Sequence, residues 1–227
     1  MVPALLADRR PIAQHHPLGA STGMLAAPRG DWAALADEAL DTSVFAVELA
    51  ALAEPELPGL AAWLRDAPAL PFRYVSVHAP TKHRSRSDEE VVALLEPLLP
   101  RVDAVVMHPD VIADPAAWRR LGGTLVLENM DARKADGRTA DELGAHFAEL
   151  PEAGLCLDVA HVASIDPTMQ EGHRILDRLG ARLRHLHVSS LDQDGHHVPL
   201  TVEDERRFTP LLTRSRDVPW ILEAPIT

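Results

Sequence analysis

Eight short apolar, β-rich runs alternate with stretches of helical periodicity, and this alternation restricts the possible folds more than any other feature. The runs are Leu18–Thr22, Phe45–Leu49, Tyr74–His78, Ala104–His108, Thr124–Glu128, Gly154–Asp158, Leu183–Val188 and Trp220–Glu223. Between them, Asp31–Leu40, Pro58–Arg65, Ser87–Leu98, Asp114–Leu121, Thr139–Leu150, Pro167–Leu179 and Val202–Thr213 place apolar residues at helical spacing. Asp31 reads as a helix cap, and Ser87 with Glu90 as a capping box. Runs such as Ala104–Met107 show no polar alternation, so both faces must be buried, as in a parallel sheet. Parallel strands joined through helices require right-handed crossovers. Eight such units in 227 residues predict an α/β fold, a compact single-domain (β/α)8 TIM barrel spanning residues 1–227. An open doubly wound sheet is the rival, but it usually carries a Gly-rich phosphate turn after its first strand. Gly19–Gly23 is a weak match to that turn. His15 and His16 precede the first run and read as polar surface.

The residues that close these strands carry the chemistry. In order they are Glu48, His78, His108, Glu128, Asp158, His187 and Glu223. The last inward residue of a barrel strand points over the C-terminal mouth, where barrel enzymes place their sites. One mouth should therefore collect all seven. His161 should reach in from the loop after the sixth strand, and Asp194, His196 and His197 from the loop after the seventh. Imidazoles and carboxylates in this mixture bind borderline or hard divalent ions: Zn²⁺, Mn²⁺, Mg²⁺ or Fe²⁺. So many carboxylates in one pocket would repel one another without cations to balance them. Glu48, Asn129, Lys82 and His197 are candidate substrate contacts.

The totals narrow the partners. With 34 acidic and 22 basic residues, the net charge of −12 argues against nucleic acid and for a small molecule. Lys82–Arg86 is the one dense basic run. The single cysteine, Cys156, excludes an internal disulfide framework and fits a reducing compartment. No run approaches the roughly 18 apolar residues of a membrane span, so a cytoplasmic protein is expected.

The motifs Val77-His78-Ala79-Pro80, Met107-His108-Pro109, Leu127-Glu128-Asn129-Met130, Leu157-Asp158-Val159-Ala160-His161, Leu186-His187-Val188, Asp194-Gly195-His196-His197 and Leu222-Glu223-Ala224-Pro225 resemble those of the xylose isomerase-like barrel superfamily. That group includes sugar and sugar phosphate isomerases and epimerases, and endonuclease IV. The motifs cover about two-thirds of the chain. In the isomerase branch the resemblance implies that Glu128, Asp158, His187 and Glu223 hold one metal. The two glutamates then shuttle a proton through an enediolate, and His161 binds a substrate oxygen. In the endonuclease IV branch it implies three zinc ions on His78, His108, Glu128, Asp158, His161, His187, Asp194, His196 and Glu223. One to three divalent ions per chain, a small sugar or sugar phosphate substrate and a possible homo-oligomer follow as expectations. A metal-dependent isomerase or epimerase is the leading expectation. A multi-metal phosphoesterase, another lyase or hydrolase on the scaffold, and a non-enzymatic partner subunit are the alternatives. The chain is short for the superfamily, which leaves little room for DNA-binding loops.

Overall fold

The computed structural model describes residues 17–226; His15 and His16 lie outside them. Eight parallel strands close a barrel: β1 (Leu18–Ser21), β2 (Ala46–Ala50), β3 (Tyr74–His78), β4 (Ala104–Met107), β5 (Leu125–Glu128), β6 (Gly154–Asp158), β7 (Leu183–Val188) and β10 (Trp220–Leu222). Neighbours follow chain order, and β10 closes the ring between β7 and β1. The (β/α)8 expectation is met. The strands are almost wholly buried because helices cover their outer faces and side chains fill the interior.

The connecting helices are α1 (Trp32–Thr42), α2 (Leu57–Asp66), α3 (Asp88–Leu95), α4 (Pro115–Trp118), α5 (Ala140–Glu149), α6 (Val159–Ile165), α7 (Gln170–Leu179) and α8 (Val202–Arg214). Local chemistry starts them where side chains satisfy the free N–H groups of a first turn. Asp31 accepts from the Ala34 N–H, and Ser87 with Glu90 and Thr139 with Glu142 form capping boxes. Several boundaries differ from expectation for visible reasons. The helix expected over Asp114–Leu121 ends at Trp118 and continues as 3-10 turns to Thr124, where Gly122 takes φ 54°. The helix expected from Pro167 begins at Gln170, because Met169 is left-handed with φ 61°. Two elements are additions to the expected set: α6, and a hairpin of β8 (Ser190–Leu191) and β9 (His197–Val198).

One irregularity positions the site. Along β6 and β7, Leu155 pairs with Leu183 but Cys156 pairs with His185, so Arg184 is passed over. Beyond this register shift, Asp158 lies beside His187. The period-two alternation of a strand then sends His185 and His187 to one face, one above the other. Among the described residues, no helix is long and apolar enough to cross a membrane.

Candidate metal centre

Glu128, at the end of β5 and buried, sits among four imidazoles. Its Oε2 lies 3.1 Å from His108 Nε2 and 3.2 Å from His78 Nε2. Its Oε1 lies 3.2 Å from His187 Nδ1 and 3.4 Å from His161 Nδ1. The His187 Nδ1 is also 3.5 Å from Glu223 Oε1, while its Nε2 is 3.1 Å from Glu48 Oε2. Asp158 ends β6, and its Oδ1 accepts the His161 N–H at 2.7 Å, capping α6. That single turn swings His161 back over the mouth, where its Nδ1 meets the Asn129 carbonyl at 2.8 Å.

Three overlapping donor sets result. Glu128, Asp158, His187 and Glu223 each offer one atom, all within 4.8 Å of one another; so do His78, His108 and Glu128, and so do Asp158, His161 and His197. The first set is the quartet that the isomerase resemblance implies. The second shares Glu128 with it, and the third shares Asp158.

The charges in this cluster are mutually dependent. Burial works against ionisation of Glu128, but His187 and His108 outweigh it and hold the carboxyl well below the usual range. Glu48 follows the same logic: burial opposes its charge, His187 favours it, and its value falls to about 2. Glu223 goes the other way. Burial, with Asp158, Glu128 and Glu48 nearby, pushes it well above the usual range despite the pull of His187. Burial would lower His187, but Cys156 and then the carboxyl groups of Glu223, Glu48 and Glu128 carry it well above an ordinary histidine. Burial lowers His108 and also His185, the latter to about 3.

These residues fit a divalent cation. Among the described residues, buried Asp158 Oδ2, Glu223 Oε2 and His108 Nδ1 have no hydrogen-bond partner. Glu223 Oε2 comes within 3.2 Å of His197 Nδ1 without bonding to it. Buried polar atoms are almost always satisfied, so the unpaired carboxylate oxygens of Asp158 and Glu223, members of one donor set, fit a cation as partner. The three sets offer carboxylate oxygens and imidazole nitrogens, donors that suit borderline or hard divalent ions.

The remaining predicted residues fall in different places. Glu48 lies a layer below the mouth, fully buried, bonded to His187 and to Ser76 Oγ at 3.0 Å. Asn129 spends its whole amide on β6: its Oδ1 accepts the Asp158 N–H at 2.7 Å and its Nδ2 donates to the Asp158 carbonyl at 3.1 Å. It thereby fixes Asp158. His197, on β9, joins the third donor set. Asp194 and His196 sit in the hairpin turn with Asp192, exposed, as a separate group apart from the buried sets. Arg133, which the strand-end pattern does not reveal, ties this turn down by donating to the Asp194 carbonyl at 2.5 Å while pairing with Asp131. Its guanidinium fills the space where a side chain on Gly195 would stand, so that glycine, at φ 77°, allows the close approach.

A cavity of about 440 Å³ opens above the donors, edged by Lys82, Lys134, Arg133 and His196. Lys82 is exposed on the loop after β3, and buried Glu54 anchors that loop. The Glu54 carboxylate accepts from the Ser85 N–H at 2.8 Å, the Ser85 hydroxyl at 2.7 Å, the Arg86 N–H at 2.9 Å and the Arg86 guanidinium at 3.0 Å. Burial would raise its carboxyl, yet these donors bring it from 4.5 down to about 2. Glu54→Ala should lower stability at pH 7 by about 2–3 kcal/mol, since it strands several donors. The parent's advantage should be complete above pH 4.5 and vanish as the pH falls toward 2, because only the ionised group is held. Urea denaturation of both proteins across that range measures it, and a constant difference would show that the charge is irrelevant.

No known protein family matches the chain, and no curated protein matches it. Solved structures do share its fold. AsfvAP:AG superposes with a TM-score of 0.58 at 14% identity, over 92% of each chain. D-psicose 3-epimerase with D-fructose gives 0.56 at 14% identity, over 93% of this chain and 86% of the other. A protein from Anabaena variabilis ATCC 29413, assigned as a sugar phosphate isomerase/epimerase, gives 0.58 at 12% identity, over 91% and 83%. These likenesses show a shared (β/α)8 barrel fold.

Proposed function

We propose that this chain is a metal-dependent isomerase or epimerase of a small sugar or sugar phosphate. The observation that carries this conclusion is the meeting of Glu128, Asp158, His187 and Glu223 around one point beneath the cavity. A divalent ion held there would polarise substrate oxygens and acidify the neighbouring C–H bond. Glu128 and Glu223 supply two carboxyl groups at that point, able to take a proton from one carbon and return it to the same or the adjacent one. His161 and Lys82, both facing the cavity, bind substrate oxygens, with Lys82 suited to a phosphate. The hairpin turn held by Arg133 forms one edge of the cavity. Two of the solved structures of the same fold are an epimerase and a protein assigned as an isomerase/epimerase, which agrees with this chemistry. The acidic total and the buried thiol are consistent with a small-molecule enzyme of the cytosol.

A panel of ketoses, aldoses and their phosphates incubated in D₂O should reveal one that gains deuterium on carbon, read by NMR. A chelator should abolish the exchange and added Mn²⁺ or Zn²⁺ should restore it. Exchange that survives chelation and is indifferent to added metal would overturn the proposal. The set His78, His108 and Glu128 favours a second reading, phosphoester hydrolysis by paired ions that share Glu128. Hydrolysis of an activated phosphodiester, lost in His108→Ala, with no carbon exchange on any sugar, would select it.

A further inference from the structure

Beneath the mouth, the barrel interior holds a second group of donors that the proposed chemistry leaves idle. Cys156 from β6, His185 from β7 and Glu48 from β2 are fully buried there, below His187. Cys156, His185 and His187 each offer one donor atom, all within 4.8 Å of one another. Glu48 Oε2 lies 3.7 Å from His185 Nε2 and 3.1 Å from His187 Nε2. Small apolar residues, Ala104, Val106 and Val126, pack around Cys156. A polar group in such a place needs a partner. Among the described residues, His185 Nε2 and Glu48 Oε1 have none.

We infer that Cys156, His185 and His187, with Glu48 beside the two imidazoles, form an interior binding site for a transition-metal cation of the zinc or cobalt class, below the donor sets at the mouth and sharing His187 with them. A thiolate with two imidazoles is a donor set for a borderline ion. His185 is oriented as a ligand would be. Its Nδ1 lies 2.8 Å from the Tyr74 hydroxyl, so an Nδ1–H donating to that oxygen leaves the Nε2 lone pair directed inward. As the metal–sulfur and metal–nitrogen bonds form, the Cys156 S–H proton and the proton on the His187 nitrogen that takes the ion pass to solvent, and nothing is oxidised or reduced. The register shift that passes over Arg184 is what brings Cys156 and His185 side by side. His187 belongs to both groups: its Nδ1 faces Glu128 and Glu223, and its Nε2 faces Glu48.

The site shares His187 with the mouth quartet, but Cys156 and His185 belong to it alone, so it can be tested apart from the proposed sugar chemistry. Cys156 is the chain's single cysteine, so any thiolate–cobalt signal must arise there. Protein produced in minimal medium with Co²⁺ replacing zinc should show thiolate-to-Co(II) charge-transfer absorption in the near ultraviolet. Cys156→Ser, nearly isosteric, should bind one equivalent less metal than the parent. His185→Gln should lose or strongly weaken the band. Asp158→Ala should keep the band while losing carbon–deuterium exchange, which separates the interior site from the mouth. A cobalt-loaded parent without the band would overturn the inference, and this measurement requires no variant to fold. Equal metal content in the parent and Cys156→Ser would also overturn it, leaving buried water as the partner of these atoms.

Discussion

Asp158→Ala, purified beside the parent, is expected to lose the divalent ion of the mouth and with it all measurable turnover. Asp158 contributes to two of the three donor sets. Its Oδ2 is buried without a partner, so a cation gains this oxygen without displacing a hydrogen bond. Glu128 already serves the same donor set, and His161 is engaged with Glu128 and with the Asn129 carbonyl. Removing an outer partner of a metal ligand typically costs about 10–100-fold in affinity, and removing the ligand should exceed that. The same carboxylate caps α6, so alanine also sacrifices a cap worth about 1 kcal/mol. Asp158→Asn separates the two roles, because its amide oxygen still accepts the His161 N–H but carries no charge. Both variants should lose the mouth's metal by elemental analysis, and only the alanine variant should lose thermal stability. Parental metal content in both would remove Asp158 from the ligand set.

The parts of this molecule that could be read from sequence are those fixed by local periodicity. Tyr74–His78, Gly154–Asp158 and Leu183–Val188 run between the expected residues because a short apolar run with polar flanks has one way to be buried on both faces. The quartet Glu128, Asp158, His187 and Glu223 converges because strand ends in a parallel barrel share one rim. What could not be read depends on register and on short segments. Helix α6 has seven residues, too few to show a period, and its cap is itself a strand-end carboxylate. The inward placement of His185 beside Cys156 rests on which residue of β7 is skipped, and nothing local to Arg184 announces that. Asn129 follows a strand-end glutamate and so looks like a substrate contact, but an amide one residue past the rim finds the backbone of the next strand first. Asp194 and His196 are spaced like ligands, yet the hairpin and the Arg133 tie hold them at the surface.

Glu223→Gln should reduce turnover by about 10²–10⁴-fold while leaving the fold intact, the usual worth of a positioned proton-transfer group. The substitution keeps the shape of the side chain at the end of β10 and removes only its capacity to ionise. Burial already disfavours that ionisation, and the nearby Asp158, Glu128 and Glu48 add to the effect. A neutral amide therefore resembles the un-ionised form that burial already favours, and the melting temperature should stay level. Metal should be weakened but retained, because Glu128, Asp158 and His187 remain, and three protein ligands suffice in many catalytic sites. A ligand that only held metal would show turnover recovering in excess Mn²⁺ or Zn²⁺. A carboxyl that also moves the proton leaves the metal-saturated variant slow, with deuterium exchange on the substrate carbon equally depressed. Near-parental exchange at saturating metal would dismiss Glu223 as a proton carrier, and with it the pairing of two carboxyl groups on which the isomerase reading depends.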